Sequence, residues 1–303
     1  MVKKILVLSF ALAWSLYAGE GDIKFEKYIL ENGLTVILHE DHSAPVVSIN
    51  VVYYVGSKNE GDGQKGFAHL FEHLMFKGSR NVSDDDFTKY IQSVGGTPRG
   101  RTMYDLTSYS ETLPGDALQM GLWLEADRMA YLLDKLDSVK FEVQKKFVLN
   151  ERRQRIKTDP YSRWLEDLFK VTFPKDHPYH FPIIGQSRDI ERAKYSAAAD
   201  FYRTFYVPNN AVLVVAGDID KKLTKYWIDA YFGSIKKGAD VTQPVSHFSG
   251  FTGPRELKVT LNVPTAAYYV NFPFSKIGTR DTYVMDILAY VLATGRSSRL
   301  YLI

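Results

Sequence analysis

The segment GFAHLFEHLMFK, residues Gly66–Lys77, is apolar at most of its positions and stops before Gly78. This pattern predicts a largely buried helix that ends at a glycine. His69 and His73 are four residues apart, so they lie on one face of that helix, one turn above the other. Glu72 follows His69 by three residues and leans towards the same face. An otherwise apolar helix therefore carries three polar side chains on one side.

Two imidazoles at this spacing can reach one zinc ion, with nitrogen–zinc distances of about 2.0–2.1 Å. Glu72 can then contact a zinc-bound water without being a ligand, and take its proton during attack on a peptide carbonyl. The alternative is that His69 and His73 are core histidines, but three polar groups buried without a partner would destabilise the fold. The sequence thus predicts one Zn²⁺ per chain, with Glu72 as the catalytic base.

A catalytic zinc needs a third protein ligand and one open position. The helix predicted over residues 138–158 offers Glu142 and Glu151. These two are nine residues apart, roughly half a turn out of phase, so only one of them can face the site. We prefer Glu151, which shares a helix face with Gln144, and keep Glu142 as the alternative.

The bulk composition limits the possible functions of the chain. Its 303 residues are enough for two domains, and 45% hydrophobic with 24% charged residues is typical of a folded protein. The net charge of +3 becomes 3 − 2 = +1 without residues 1–18, which hold two lysines and no acid, so no nucleic-acid partner is indicated. Because the chain has no cysteine, only histidines and carboxylates can hold a metal.

The N-terminus has the pattern of an export signal. Two lysines within residues 1–4 precede ILVLSFALAWSLYA, an apolar run over residues 5–18. That run is shorter than a membrane-spanning helix, which needs about 20 residues. Ala18-Gly19 offers small residues at which a signal peptide could be cleaved. We predict a signal peptide at residues 1–18 and a periplasmic or secreted mature chain that does not span a membrane. The alternative is a buried N-terminal helix.

Alternating and β-branched segments indicate an α+β fold, with a mostly antiparallel sheet packed with helices. Residues 24–56 predict a three-stranded meander, and residues 101–113 predict one strand. We assign residues 22–233 to a first domain and residues 234–253, which are polar with glycines and a proline, to a linker. Residues 254–303 faintly repeat the opening of the first domain, with two predicted strands (257–263 and 267–274) and a helix (281–293). They predict an incomplete second domain of similar topology.

Several longer segments resemble the pitrilysin/insulinase family of inverzincins, particularly bacterial relatives of mitochondrial processing peptidase. These segments are YILENGLTVIL, GFAHLFEHLMFKGS, GGTPRGRTMYDLTSYSETLP, FVLNERRQR, FYVPNNAVLVVAGDID and ATGRSSRLY, and they extend across residues 26–303. The resemblance implies a clamshell of repeated α/β domains, zinc on His69, His73 and Glu151, and Glu72 as base. It also implies that a polypeptide substrate binds as an added strand at a sheet edge, which we place near residues 101–113.

The chain departs from the family pattern at Gln144, where a glutamate is frequent, and at Arg99, where an asparagine is usual. The function expected is a zinc-dependent endopeptidase that acts on peptides or unfolded polypeptide segments. The main alternative is a non-catalytic or partner-dependent subunit of a two-chain peptidase, completed by a second family subunit or by the missing C-terminal half. A binding module with a structural zinc fits less well, because such sites use four protein ligands and the sequence offers three.

Overall fold

The computed structural model describes residues 23–159, 161–245, 248, 250, 253–272, 274 and 276–302. The predicted signal peptide, residues 1–18, lies outside these residues. Among the helices that are described, none is both long enough and apolar enough to cross a membrane.

A mixed six-stranded sheet forms the centre of the first part of the chain. Its strands are β1 (Glu26–Ile29), β2 (Thr35–Glu40), β3 (Val46–Tyr53), β4 (Thr97–Thr102), β5 (Thr107–Pro114) and β6 (Ala211–Gly217). The order across the sheet is β1-β2-β6-β3-β5-β4, in which β2 and β6 are parallel and every other neighbouring pair is antiparallel. The α+β class with a mostly antiparallel sheet is therefore confirmed.

The described residues form nine α-helices, and the first three of them pack against the sheet. The helices are α1 (Phe67–Leu74), α2 (Asp86–Ser93), α3 (Leu118–Tyr131), α4 (Ser138–Thr158), α5 (Trp164–Thr172), α6 (Ser187–Arg192), α7 (Tyr195–Phe205), α8 (Lys221–Phe232) and α9 (Arg280–Ala293). Alternate residues of β3, such as Ile49 and Val51, are fully buried, and α3 packs against this strand. This period of two is what a strand shows when only one of its faces is covered.

The predicted meander over residues 24–56 is wrong. Strands β1 and β2 form an antiparallel hairpin, but β6 lies between β2 and β3. The apolar run of β6, AVLVVA, gains a neighbour on both sides at this position. Proximity in sequence favoured direct pairing of β2 with β3, whereas the tertiary structure places the most continuously apolar strand in the middle.

The single strand predicted over residues 101–113 is also wrong, because the structure divides this region into the hairpin β4–β5. The Met103 amide donates to the Leu106 carbonyl at 2.8 Å and closes the turn. Gly100 lies opposite Tyr109, and Thr102 lies opposite Thr107. Strand β4 is thus one of the two edge strands of the sheet, and β1 is the other.

Two predictions for the helices are confirmed, and two for the last strands are not. Helix α4 has the predicted bounds, and α9 matches the predicted helix over residues 281–293. Neither residues 257–263 nor residues 267–274 form a strand in the part of the chain that the structure describes. Their composition favours β structure, but a strand also needs a neighbour with which to bond, and no described segment pairs with them.

Candidate metal centre

Helix α1 begins at a backbone turn that a buried carboxylate caps. Gly66 precedes the helix with a φ of 110°, a conformation that favours glycine. The Glu60 carboxylate accepts hydrogen bonds from the amides of Gly66 (2.8 Å) and Ala68 (2.9 Å). These amides belong to the first turn, where no helical carbonyl is available to them. Burial raises the pKa of Glu60 to about 8, although both amide contacts act to lower it.

The structure brings His69, His73 and Glu151 together. Oε2 of Glu151 lies 3.3 Å from Nε2 of His73 and 3.7 Å from Nε2 of His69. One ligand atom from each residue lies within 4.8 Å of the other two. Among the described residues, these three form the group of histidines and acidic residues that is placed to hold a metal ion. Helix α4 supplies Glu151 and α1 supplies both histidines.

The alternative third ligand, Glu142, lies elsewhere. Its side chain is 54% exposed, and its Oε1 accepts a hydrogen bond from Nζ of Lys145 at 2.9 Å. Gln144 is buried on the same helix. Glu142 and Glu151 point in opposite directions because they are nine residues apart, which is about half a helical turn out of phase.

The chemistry of the three side chains fits a zinc ion. Oε2 of Glu151 and Nδ1 of His69 are buried without a hydrogen-bond partner among the described residues. The His73 imidazole, together with His69 and Arg155, lowers the pKa of Glu151 to about 2, so the carboxylate is ionised. Burial lowers the pKa of His69, which favours the neutral imidazole that metals bind. Two imidazole nitrogens and one carboxylate oxygen form a common catalytic zinc set.

Glu72 lies beside this group, against the edge strand. The Thr102 hydroxyl donates a 2.6 Å hydrogen bond to Oε2 of Glu72. Gly100, also on β4, leaves room for the same side chain: a Cβ there would lie 2.8 Å from Cγ of Glu72 and 3.2 Å from Cε2 of Phe76. Gly100 and Thr102 were not predicted from the sequence as site residues. Their spacing of two places them on one strand face, but nothing local indicates that this face meets Glu72.

A buried cluster of charged side chains packs next to the end of α1. Arg128 is 1% exposed, and it donates to Glu111 at 3.1 Å and, through Nε, to Glu125 at 2.9 Å. Its guanidinium also packs over the ring of Phe76, two residues after the end of α1. Burial and the neighbouring Glu125 raise the pKa of Glu111 well above its usual range. Removing Arg128 would leave buried carboxylates without a partner, which is typically destabilising by about 3–5 kcal/mol.

Comparison with known proteins gives the family of the chain. A family model described as insulinase (peptidase family M16) matches residues 35–186, half of the chain. The chain belongs to the insulinase family. A second family model, described as the peptidase M16 inactive domain, matches residues 193–303. The resemblance to the pitrilysin/insulinase family is thereby confirmed.

Individual proteins named as zinc proteases are similar to this chain over most of its length. Zinc protease PqqE of Helicobacter pylori is 29% identical over 307 residues, which cover 98% of this chain and 68% of that protein. An uncharacterized zinc protease of Rickettsia bellii is 25% identical, covering 90% of this chain and 64% of that protein. The chain thus spans about two thirds of the length of these relatives.

Solved structures show the same fold. The crystal structure of a protease from Helicobacter pylori superposes with a TM-score of 0.80 at 27% identity, covering 92% of this chain and 67% of that one. The periplasmic protease PqqL of Escherichia coli superposes with a TM-score of 0.66 at 21% identity, covering 74% and 26%. The second likeness shows the fold alone.

Proposed function

We propose that this insulinase-family chain carries the catalytic centre of a zinc-dependent endopeptidase that hydrolyses peptides or unfolded polypeptide segments. The observation that carries the proposal is the convergence of His69, His73 and Glu151, with ligand atoms within 4.8 Å of one another and Glu72 at their side. The naming of similar chains as zinc proteases supports the choice of metal and reaction.

His69, His73 and Glu151 would hold one zinc ion. When bound, the ion acts as a Lewis acid that polarises the peptide carbonyl and acidifies water. Glu72 takes the proton of the attacking water and passes it to the leaving amine. Thr102 holds Oε2 of Glu72 by its hydroxyl, so the carboxylate is oriented before the peptide arrives.

Strand β4 is the place where a peptide main chain would bind. In an antiparallel ladder, hydrogen-bonded and non-bonded pairs alternate. Because Met103 bonds to Leu106 across the turn, the N–H and C=O groups of Thr102 and Gly100 point away from β5. None of the described residues bonds to these outward groups, so they are available to an added strand that would pass beside Glu72.

A second candidate function is a non-catalytic or partner-dependent subunit of a two-chain peptidase. It is favoured by the description of the family model over residues 193–303 as an inactive domain. We place the peptidase domain at residues 22–233, a linker at 234–253 and the start of the related domain at 254–303. A cleaved signal at residues 1–18 and export to the periplasm or beyond remain part of the proposal, and the relative PqqL is described as periplasmic.

Hydrolysis of a quenched fluorescent peptide library tests the proposal. The chain from residue 19 onwards should cleave peptides in zinc, lose activity with a chelator and regain it when zinc is restored. Glu72→Gln should bind zinc but not cleave. A chain that binds zinc and peptides without cleaving them would support the partner-dependent subunit. A chain that binds no zinc would refute the catalytic proposal.

A further inference from the structure

The two faces of strand β4 differ in chemistry. Gly100 and Thr102 face α1 and contact Glu72. The alternate residues, Arg99 and Arg101, are exposed on the opposite face of the sheet, which the helices do not cover. A shallow recess of about 350 Å³ opens there, lined by both arginines and, across the hairpin, by Ser108 and Ser110.

Neither arginine has an acidic partner among the residues that the structure describes. Arg128, Arg152 and Arg155 each form an ion pair with a glutamate. By contrast, no carboxylate within the described part of the chain lies in ion-pair distance of Arg99 or Arg101. Opposite them stand Ser110 and Ser108, whose hydroxyls are neutral hydrogen-bonding groups. The recess therefore carries two uncompensated positive charges.

A peptide added to β4 would meet these charges directly. Side chains of an added strand alternate between faces in step with β4. The peptide residue opposite Gly100 would face Glu72, and its two neighbours would lie on the other face, beside Arg99 and Arg101. Side chains directly opposite each other on neighbouring strands interact, and opposite charges are favourable there.

We propose that Arg99 and Arg101 select peptides with acidic side chains on one or both sides of the residue that faces Glu72. This inference deepens the proposed function and rests on it. From the strength of cross-strand charge pairs, each correctly placed glutamate should favour binding by about 2- to 5-fold over alanine. Lysine at the same positions should be disfavoured, and salt should weaken both effects because the charges are exposed.

Peptide binding to the Glu72→Gln chain separates this inference from the catalytic proposal, since it needs no turnover. Fluorescence anisotropy would measure Kd for a series of labelled peptides that carry Glu, Ala or Lys at each position in turn. The same measurement would be made with the added pair Arg99→Glu and Arg101→Glu. The matched control is Lys222→Glu with Lys236→Glu, which changes the net charge equally at exposed positions outside β4.

Peptides with two Glu residues two positions apart should bind more tightly than the corresponding Ala and Lys peptides. The Arg99→Glu and Arg101→Glu substitutions should reverse this preference in favour of Lys, and the control substitutions should leave it unchanged. Binding without charge preference, a preference that survives charge reversal, or no peptide binding at all would overturn the inference. Cleavage of the same series by the chain with Glu72 intact decides the catalytic proposal separately. If the arginines only protect the sheet edge from pairing with other chains, charge reversal will leave the preference unchanged.

Discussion

The hydroxyl of Thr102 lies 2.6 Å from Oε2 of Glu72 and donates a hydrogen bond to it. This contact joins the edge strand to the helix that carries both histidines. Thr102 is 8% exposed, so the bond is shielded from water. The strand that would receive a peptide thus also orients the proposed catalytic base.

Replacing Thr102 by valine should lower kcat by about 10- to 100-fold, because hydrogen bonds to charged groups typically contribute about 1.5–3 kcal/mol. Zinc content should not change, since none of the hydrogen bonds recorded among the described residues joins Thr102 to a candidate ligand. Steady-state kinetics and metal analysis would measure both quantities. Thr97→Val, at an exposed position of the same strand, is the control. An unaltered kcat in Thr102→Val would contradict the orienting role.

Glu151→Gln should weaken zinc binding at least about 100-fold, since loss of even an outer-shell partner of a ligand costs 10- to 100-fold. Glu142→Gln, nine residues earlier on the same helix, should bind zinc as the unaltered chain does. Competition with a chromophoric chelator gives the affinities. Because a ligand that binds only the native state stabilises it, zinc should raise the Tm of Glu142→Gln but not that of Glu151→Gln. Equal loss in both variants would show that the third ligand is misassigned.

Gly100→Ala tests the close approach of β4 to α1. The new Cβ would lie 2.8 Å from Cγ of Glu72, so that side chain must move. Overpacking of this kind typically costs about 1–3 kcal/mol. We expect a lower Tm and a greater loss in kcat than in KM, measured by thermal unfolding and kinetics. Gly253→Ala is the control, because its Cβ would meet no atom within 4 Å. Full activity in Gly100→Ala would mean that Glu72 tolerates displacement.

Glu60 predicts a pH dependence of stability. Its folded-state pKa is raised to about 8 from an ordinary value of 4.5, so the native state holds a proton that the unfolded state releases. The stabilisation that this proton provides is fully present below about pH 4.5 and is lost as pH rises to about 8, by at most about 1.4 kcal/mol per pH unit. Denaturant unfolding from pH 5 to 8 should therefore show the stability of the unaltered chain falling relative to Glu60→Gln. A stability difference that stays constant from pH 5 to 8 would instead mean that Glu60 is already ionised in the native state at pH 5.

Much of the candidate site follows from local spacing in the sequence. His69, Glu72 and His73 share one helix face because of the helical period, and the same period separates Glu142 from Glu151. The bounds of α4 were also predictable, since Asp137 caps its start and Asp159-Pro160 follows its end. By contrast, Thr102 and Gly100 were missed, because which strand face meets Glu72 depends on a segment about 30 residues away.

By itself the sequence determined the α+β class, the zinc-type motif on α1 and the phase of α4, because each depends on contacts within one element or on a repeating pattern. Only the tertiary structure decided that β6 lies between β2 and β3, that residues 97–114 form a hairpin, and that β4 is the outer strand. The physical reason is that a period of two records which residues of a strand are covered but not which strand lies beside it. That choice depends on packing between segments that are distant in sequence.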